Sequence, residues 1–292
     1  MILELKDICK KYRQRVVLNH INWQVTKPQT IALVAPNGTG KSTLLNIIAN
    51  VETRDQGKVI INDLVNTDEH VYEEMTFMQD SSVLYPEMTG KSHIQLIVES
   101  YHIKAERVNE VIDRVGIGNY LSKPVKAYSM GMKQLLLFAM AILPNPKLLL
   151  LDEPLNGLDP KAIVMLRETL RELGNQGTTI LFSSHNLDEI DRLTHHVVFL
   201  HNGQLVPASQ DDERGYVVIM ANAATVLTQS KWQTNIDHVL TPNKVALNAT
   251  PTEITQIKRD YEHTKTPVLD VVLTHQATEN QYFKLFQRNQ IR

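Results

Sequence analysis

A chain of 292 residues carries 30 Lys and Arg against 32 Asp and Glu, a formal net charge of −2. That balance offers no basic field for nucleic acid, and the length fits one large domain with an appendage or two domains. Cys9 is the only cysteine, which excludes an intrachain disulfide and argues against a cysteine-based zinc site. The start, MILELKDICKKY, alternates like a strand and lacks the apolar core of a secretory signal. The longest apolar run, near Leu135 to Leu143, reaches about half the length of a bilayer span. A soluble, cytoplasmic protein is the expectation.

Two short alternating runs, Ile2–Ile8 and Val16–Val25, flank the polar KKYRQR and read as strands. The apolar run Ile31–Val34 then stops at a turn-rich loop, and an apolar-periodic segment follows Lys41. KVIINDLVN supplies another strand and turn, while EEMTFMQDSSVLYPEMTG reads as leading out of the sheet. From Ser92 to about Leu121, residues such as Ile94, Ile97, Val98, Val108, Val111, Ile112 and Val115 recur at helical spacing, which predicts a helical insert. LLFAMAIL predicts a buried helix, ended by Pro144 and Pro146. KLLLLDEP and TTILFSSHN are fully apolar strands. Such strands alternating with helices predict a mainly parallel sheet covered on both faces, an α/β fold. Past about Val206 the texture changes: YVVIMA, KVALNA and PVLDVVLTHQ predict short strands around helical segments, a small α+β appendage.

The loop APNGTGKST nearly spells the phosphate-binding pattern G-x-x-x-x-G-K-[ST], with Ala35 at its first position instead of glycine. A triphosphate needs many donors converging on a small volume. A strand that turns into a helix supplies them, because the first helical N–H groups lack intrahelical partners and carry the positive end of the dipole. The N–H groups of Asn37, Gly38, Thr39, Gly40, Lys41, Ser42 and Thr43 form the expected cradle. Gly38 and Gly40 let the backbone approach without a Cβ. Lys41 is expected to reach the β- and γ-phosphates, and the Ser42 hydroxyl to ligate Mg²⁺. Most of this binding is done by the backbone, so Ala35 is a tolerable departure.

Motif by motif, residues 1 to about 205 resemble the ATP-binding subunit of an ABC transporter. The resemblance implies a P-loop NTPase of ABC type, with an N-terminal antiparallel β portion and a helical subdomain at about 86–135. Residues 206–292 are then an accessory domain. Asp152, at the end of LLLLDEP, is expected to hold Mg²⁺ and Glu153 to orient the attacking water. Lys41 and His185, the latter in LFSSHNLDE, would act with Glu153 at the γ-phosphate. Gln79, in FMQDSS, fits a glutamine that touches Mg²⁺ and links the site to the membrane partner. Tyr12 fits the aromatic that stacks on adenine. KAYSMGMKQLL is similar to the signature segment LSGGQ: Ser129 and Gly131 match, while Met130 and Met132 replace a glycine and the glutamine. In the family that segment faces the γ-phosphate of the other subunit, and Asp159, in NGLDP, fits the loop crossing the same interface. The relaxed signature is similar to that of peptide-antibiotic and drug exporters.

The implied cofactors are ATP and Mg²⁺. The implied partners are an integral-membrane permease docking near Tyr85 to His93 and a second ATP-binding subunit, homo- or heteromeric, with no nucleic acid. The implied location is the cytoplasmic face of the cell membrane. Two other readings stay open at this point: a soluble ABC ATPase acting on nucleic acid or the ribosome, and a regulator that binds nucleotide without hydrolysing it.

Overall fold

A computed structural model of the protein describes residues 1–208, 214–273 and 277–286. The chain divides into two compact units, Met1–His185 with Leu193–Pro207, and Asn186–Arg192 with Ala208–Arg292.

The first unit opens with β1 (Leu3–Tyr12) and β2 (Arg15–Val25), an antiparallel pair that sets Tyr12 opposite Arg15. The polar KKYRQR is therefore the end of a hairpin, not a spacer between strands. Arg13 turns the chain with φ of 54°, the left-handed geometry that two-residue hairpin loops require. Next come β3 (Thr30–Val34), the phosphate loop, α1 (Lys41–Ile48), β4 (Gln56–Ile61) and β5 (Leu64–Val65). β2, β1, β4 and β5 form, in that order, an antiparallel sheet.

The short α2 (Val71–Glu74) leads into β6 (Met75–Met78). Sequence reading takes this segment out of the sheet; the structure makes it the sheet's edge strand. Its four residues are too few to show a period, but Met75 and Met78 are buried and the Thr76 hydroxyl donates to the Ala141 carbonyl at 2.7 Å.

The helical insert is broken into α3 (Gly90–Tyr101), α4 (Ala105–Val115) and the start of α5 (Met130–Ile142). Two left-handed residues, His102 with φ of 52° and Gly116 with φ of 73°, end the first two helices. Then follow β7 (Leu148–Leu151), α6 (Pro160–Asn175), β8 (Thr179–Ser184), α7 (Leu187–Leu193), β9 (His196–His201) and β10 (Gln204–Pro207). The main sheet runs β10-β9-β3-β8-β7-β6, parallel from β9 to β6, with β10 antiparallel at the edge. Leu148 to Leu151 are all 0% exposed, as a strand covered on both faces demands. Each such leucine contributes about 2 kcal/mol of burial.

The second unit groups Asn186–Arg192 with β11 (Arg214–Met220), α8 (Ala223–Thr228), β12 (Ile236–Thr241), β13 (Lys244–Ala249), α9 (Pro251–Tyr261), β14 (Val268–Leu273) and α10 (Ala277–Phe286). Its antiparallel sheet has the order β12-β13-β11-β14. Its own core gathers Val218, Met220, Leu227, Trp232, Val245, Leu247 and Ile257. Of the stretch PVLDVVLTHQ, residues 274–276 lie outside the described residues. Among the described residues no helix is long and apolar enough to cross a membrane.

Candidate functional site

Four parallel strands end side by side and deliver the candidate residues: β3 runs into Ala35, β8 into His185, β7 into Asp152 and β6 into Gln79. Val34 pairs with Ser184 and Met78 with Leu151, so those ends are level, while β8 runs on past Phe182, the partner of Leu151, to Ser184. The carboxyl edge of an open parallel sheet is where such folds take ligands.

Within the phosphate loop, positive φ falls on Gly38 (74°) and Gly40 (114°). A Cβ on Gly40 would stand 2.4 Å from Val17 Cγ1, so glycine is required there by both backbone and space. Ala35 is 1% exposed, is not among the positive-φ residues, and accepts from Lys41 Nζ at 2.7 Å through its carbonyl. The Thr39 hydroxyl donates to the Pro36 carbonyl at 2.7 Å, and the Arg15 guanidinium to the Gly38 carbonyl at 2.9 Å. α1 then begins at Lys41 with no side-chain cap and no acidic residue in its first turn. Its start leaves backbone N–H groups without a side-chain partner, the arrangement that suits an anion.

A cleft of about 450 Å³ opens over this loop, lined by Tyr12, Arg15, Val17, Asn37, Gly38, Gly40, Lys41, Ser42, Thr43 and Glu153. Tyr12, 45% exposed, stands on its rim and donates its hydroxyl to the Glu52 carboxylate. Lys10 pairs with the same carboxylate at 3.0 Å and lies 5.2 Å from the Tyr12 ring centre. Burial, then the bond to Glu52, pushes the Tyr12 phenol up.

Glu153 sits between two partners: Oε2 meets His185 Nδ1 at 2.9 Å, and Oε1 lies 3.8 Å from Lys41 Nζ. Lys41 is 6% exposed, and burial pushes its ammonium down against the pull of Glu153 and Asp152. The Ser183 hydroxyl donates to Asp152 Oδ1 at 2.5 Å and accepts the Glu153 N–H at 2.8 Å. One serine thus orients both acidic residues. For Mg²⁺, the chemistry of the donor set fits: a hydroxyl on the cleft wall at Ser42 and a carboxylate at Asp152 are hard oxygen ligands.

Other sequence candidates lie elsewhere. Gln79 lines a separate cavity of about 230 Å³ with Tyr72, Val83, Ile97, Tyr101 and Leu137. Ser129 caps α5, its hydroxyl taking the Met132 N–H at 3.3 Å, and Asp159 caps α6 through the Ala162 N–H at 2.8 Å. Gly131 packs against the Gly157 carbonyl, where a Cβ would stand at 2.9 Å. Neither Ser129, Gly131 nor Asp159 lines the cleft over this chain's own phosphate loop. Sequence reading did not single out Arg15, Glu52 or Gln134, whose amide donates to the Glu153 carbonyl at 3.0 Å. Arg15 was within reach, since a hairpin at KKYRQR sets it opposite Tyr12.

The sequence profile described as ABC transporter matches residues 18–156. The lantibiotic transport ATP-binding protein SrtF of Streptococcus pyogenes is 31% identical over 211 residues, which cover 72% of this chain and 92% of that one. The bacitracin transport ATP-binding protein BcrA of Enterococcus faecalis is 32% identical over 210 residues, 70% of this chain and 68% of its own length. Among solved structures, one described as the ATP-binding subunit of an ABC transporter shares 31% identity with a TM-score of 0.65, covering 70% of this chain and 88% of its own. The profile match opens in β2, beside the cleft, and closes just beyond Glu153. The chain belongs to the ABC transporter family and is an ATP-binding, ATP-hydrolysing subunit of it.

Proposed function

We propose that this chain powers a separate integral-membrane permease, and that Glu153 is the carboxylate that orients and polarises the attacking water. One observation carries the reading: Glu153 enters the phosphate-loop cleft with its two oxygens divided between His185 and Lys41. Lys41 and the N–H groups from Asn37 to Thr43 hold the phosphates, and His185 faces the γ-phosphate. Tyr12 offers its ring to the adenine. Ser42 and Asp152 would hold Mg²⁺, with Gln79, at the end of the strand beside Asp152's, as a further candidate ligand. When bound, the ion neutralises charge that develops on the phosphate oxygens.

Ser129, Gly131 and Asp159 belong to the site formed with a second ATP-binding subunit, which explains their placement away from this chain's own cleft. The permease docks at the helical insert near Tyr85 to His93. Support comes from Tyr85, 62% exposed, whose N–H is anchored at 3.0 Å by the buried His93 ring, and from the cavity Gln79 shares with Val83 and Tyr101. The chain then works at the cytoplasmic face of the membrane. The names of the relatives above favour a peptide antibiotic as cargo, and the relaxed signature, similar to that of exporters, favours export.

Glu153→Gln tests the reading. The amide keeps the size but cannot take a proton from water. ATP binding is expected to persist while turnover falls by about a thousandfold, a loss in the range of a removed general base. Size exclusion with ATP and Mg²⁺ then shows an accumulating dimer. Normal hydrolysis in this variant removes Glu153 from the role.

A further inference from the structure

Glu153 adopts φ of 48°, a left-handed conformation in a residue that is neither glycine nor asparagine. Such a backbone costs about 1–2 kcal/mol and persists where its surroundings hold it. Both flanking peptide units are in fact held. On the amino side the Glu153 N–H donates to Ser183 Oγ at 2.8 Å; on the carboxyl side the Glu153 carbonyl accepts from Gln134 Nε2 at 3.0 Å and from the Asn156 N–H at 3.2 Å.

Gln134 is 7% exposed and sits on α5 just ahead of the buried Leu136, Leu137 and Phe138. An amide there is expensive unless its polar atoms are paired, and a carbonyl partner can only accept, so the amide must present its N–H to Glu153. The same end of α5 grips the loop a second time. Gly131 lies against the Gly157 carbonyl, and a Cβ on Gly157 would meet Met130 Cγ at 2.7 Å. The first turns of α5, which begin at the signature segment, therefore hold the chain from Glu153 to Gly157 at both ends.

We infer that Gln134 is a positioning residue that ties the signature helix to the catalytic carboxylate of the same chain. Any displacement of the α5 start pulls on the Glu153 carbonyl. Turning that peptide redirects the carboxylate relative to His185 and Lys41. The hydrogen bond thus transmits events at Ser129 and Gly131 to the group that orients water. This inference rests on the proposed role of Glu153.

The test uses the full chain in steady-state hydrolysis of MgATP, comparing the parent with Gln134→Leu, Gln134→Glu and Glu153→Gln. Gln134→Leu keeps the bulk and removes the donor. It is expected to lower kcat about tenfold to a hundredfold, the scale of a misplaced catalytic group. KM for ATP should stay within about threefold, because the cradle is untouched. Gln134→Glu discriminates positioning from packing. A carboxylate cannot donate to the Glu153 carbonyl but a protonated carboxyl can, so the ratio of its kcat to the parent's should climb as pH falls from mildly alkaline to mildly acidic.

An unchanged kcat in Gln134→Leu overturns the inference. So does a Gln134→Glu variant that keeps the parent's kcat at neutral pH, where its carboxylate cannot donate, and that arm decides the matter alone if the leucine variant does not fold. If Glu153→Gln is inactive while Gln134→Leu is fully active, the inference falls and the role of Glu153 stands. If Glu153→Gln turns over normally, both fall.

Discussion

The chain starts two of its helices in opposite ways. α9, in the second unit, is sealed: the Thr250 hydroxyl accepts the Glu253 N–H at 3.2 Å, the Glu253 carboxylate accepts the Thr250 N–H at 2.7 Å, and Pro251 fills the first helical position. α1, in the first unit, is left open: Gly40 precedes it in a left-handed conformation, no side chain caps it, and its first turn carries no acidic residue. Both helices begin with unpaired N–H groups, as every helix does. At α9 side chains answer them, which adds stability. At α1 no side chain answers them, and on the proposed reading they are kept for phosphate. A missing cap alone does not mark a binding start, since α8 also follows a left-handed residue with neither cap nor acidic first turn. α1 differs in opening onto the cleft, and its contrast with α9 can be probed from both sides.

The larger effect is expected at the open start. Lys41→Ala removes a buried cation of the loop and, on the proposed reading, its charge-assisted hydrogen bond to phosphate. ATP affinity should fall about ten- to a hundredfold, the range of such bonds at 1.5–3 kcal/mol. Stability without nucleotide should change far less, because two effects oppose. Burial holds the Lys41 ammonium's pKa down, so the charge itself costs folding energy, while its loss strips the Ala35 carbonyl of a donor. Calorimetry with ATP beside thermal unfolding of the free protein measures both. Equal affinity in parent and variant would mean that the open helix start is not a phosphate site.

At the sealed start the signs reverse. Thr250→Ala removes the cap, costing about 1 kcal/mol of stability, and leaves ATP affinity unchanged, since Thr250 is not among the cleft residues. The deficit should depend on pH. The Thr250 N–H, followed by its hydroxyl, holds the Glu253 carboxyl below its ordinary range. A depressed carboxyl contributes stability that is fully present above its unfolded value and is lost as pH falls through the folded one. The difference between parent and variant in urea unfolding should accordingly narrow in acid. A gap that widens in acid would assign the capping energy to something other than this carboxylate.

The same contrast explains what could be read in the sequence. Strands covered on both faces announce themselves as unbroken apolar runs, so β3, β7 and β8 were legible, and with them the carboxyl edge where ligands sit. Lys41, Glu153 and His185 were legible because each follows such a strand or its loop directly, and the structure brings these three together. β6 was not, because four residues carry no period. Neither was the hairpin's Arg15, which is displayed by a strand pairing rather than by a motif. Gln134 and Ser183 act through hydrogen bonds to atoms 19 and 30 residues away. No local pattern encodes such bonds. In the second unit the sequence displays a pattern sufficient for packing, hence strands and helices, and says little about chemistry.

The smallest effect is expected at the position where the loop departs from its pattern. Ala35→Gly matters only if residue 35 needs a left-handed backbone or if its methyl crowds the phosphates. The structure answers the first point: positive φ in the loop falls on Gly38 and Gly40, and Ala35, which precedes Pro36, is not among such residues. Proline favours extended geometry in the residue before it, and alanine adopts that freely. On the second point, Ala35 is 1% exposed and is not among the residues lining the cleft, so its methyl faces the protein interior. Its contribution to the site is its carbonyl, which takes Lys41 Nζ at 2.7 Å and which glycine would keep. Glycine instead loses a small buried side chain and gains freedom in the unfolded chain, which together should cost about 1 kcal/mol of stability. ATP affinity and kcat should both stay within about tenfold of the parent, or about 1.4 kcal/mol. Calorimetry and steady-state turnover on the purified variant decide the matter. A rise in turnover of about a hundredfold would identify Ala35 as a brake on hydrolysis and give the open start of α1 a regulatory part that its geometry does not show.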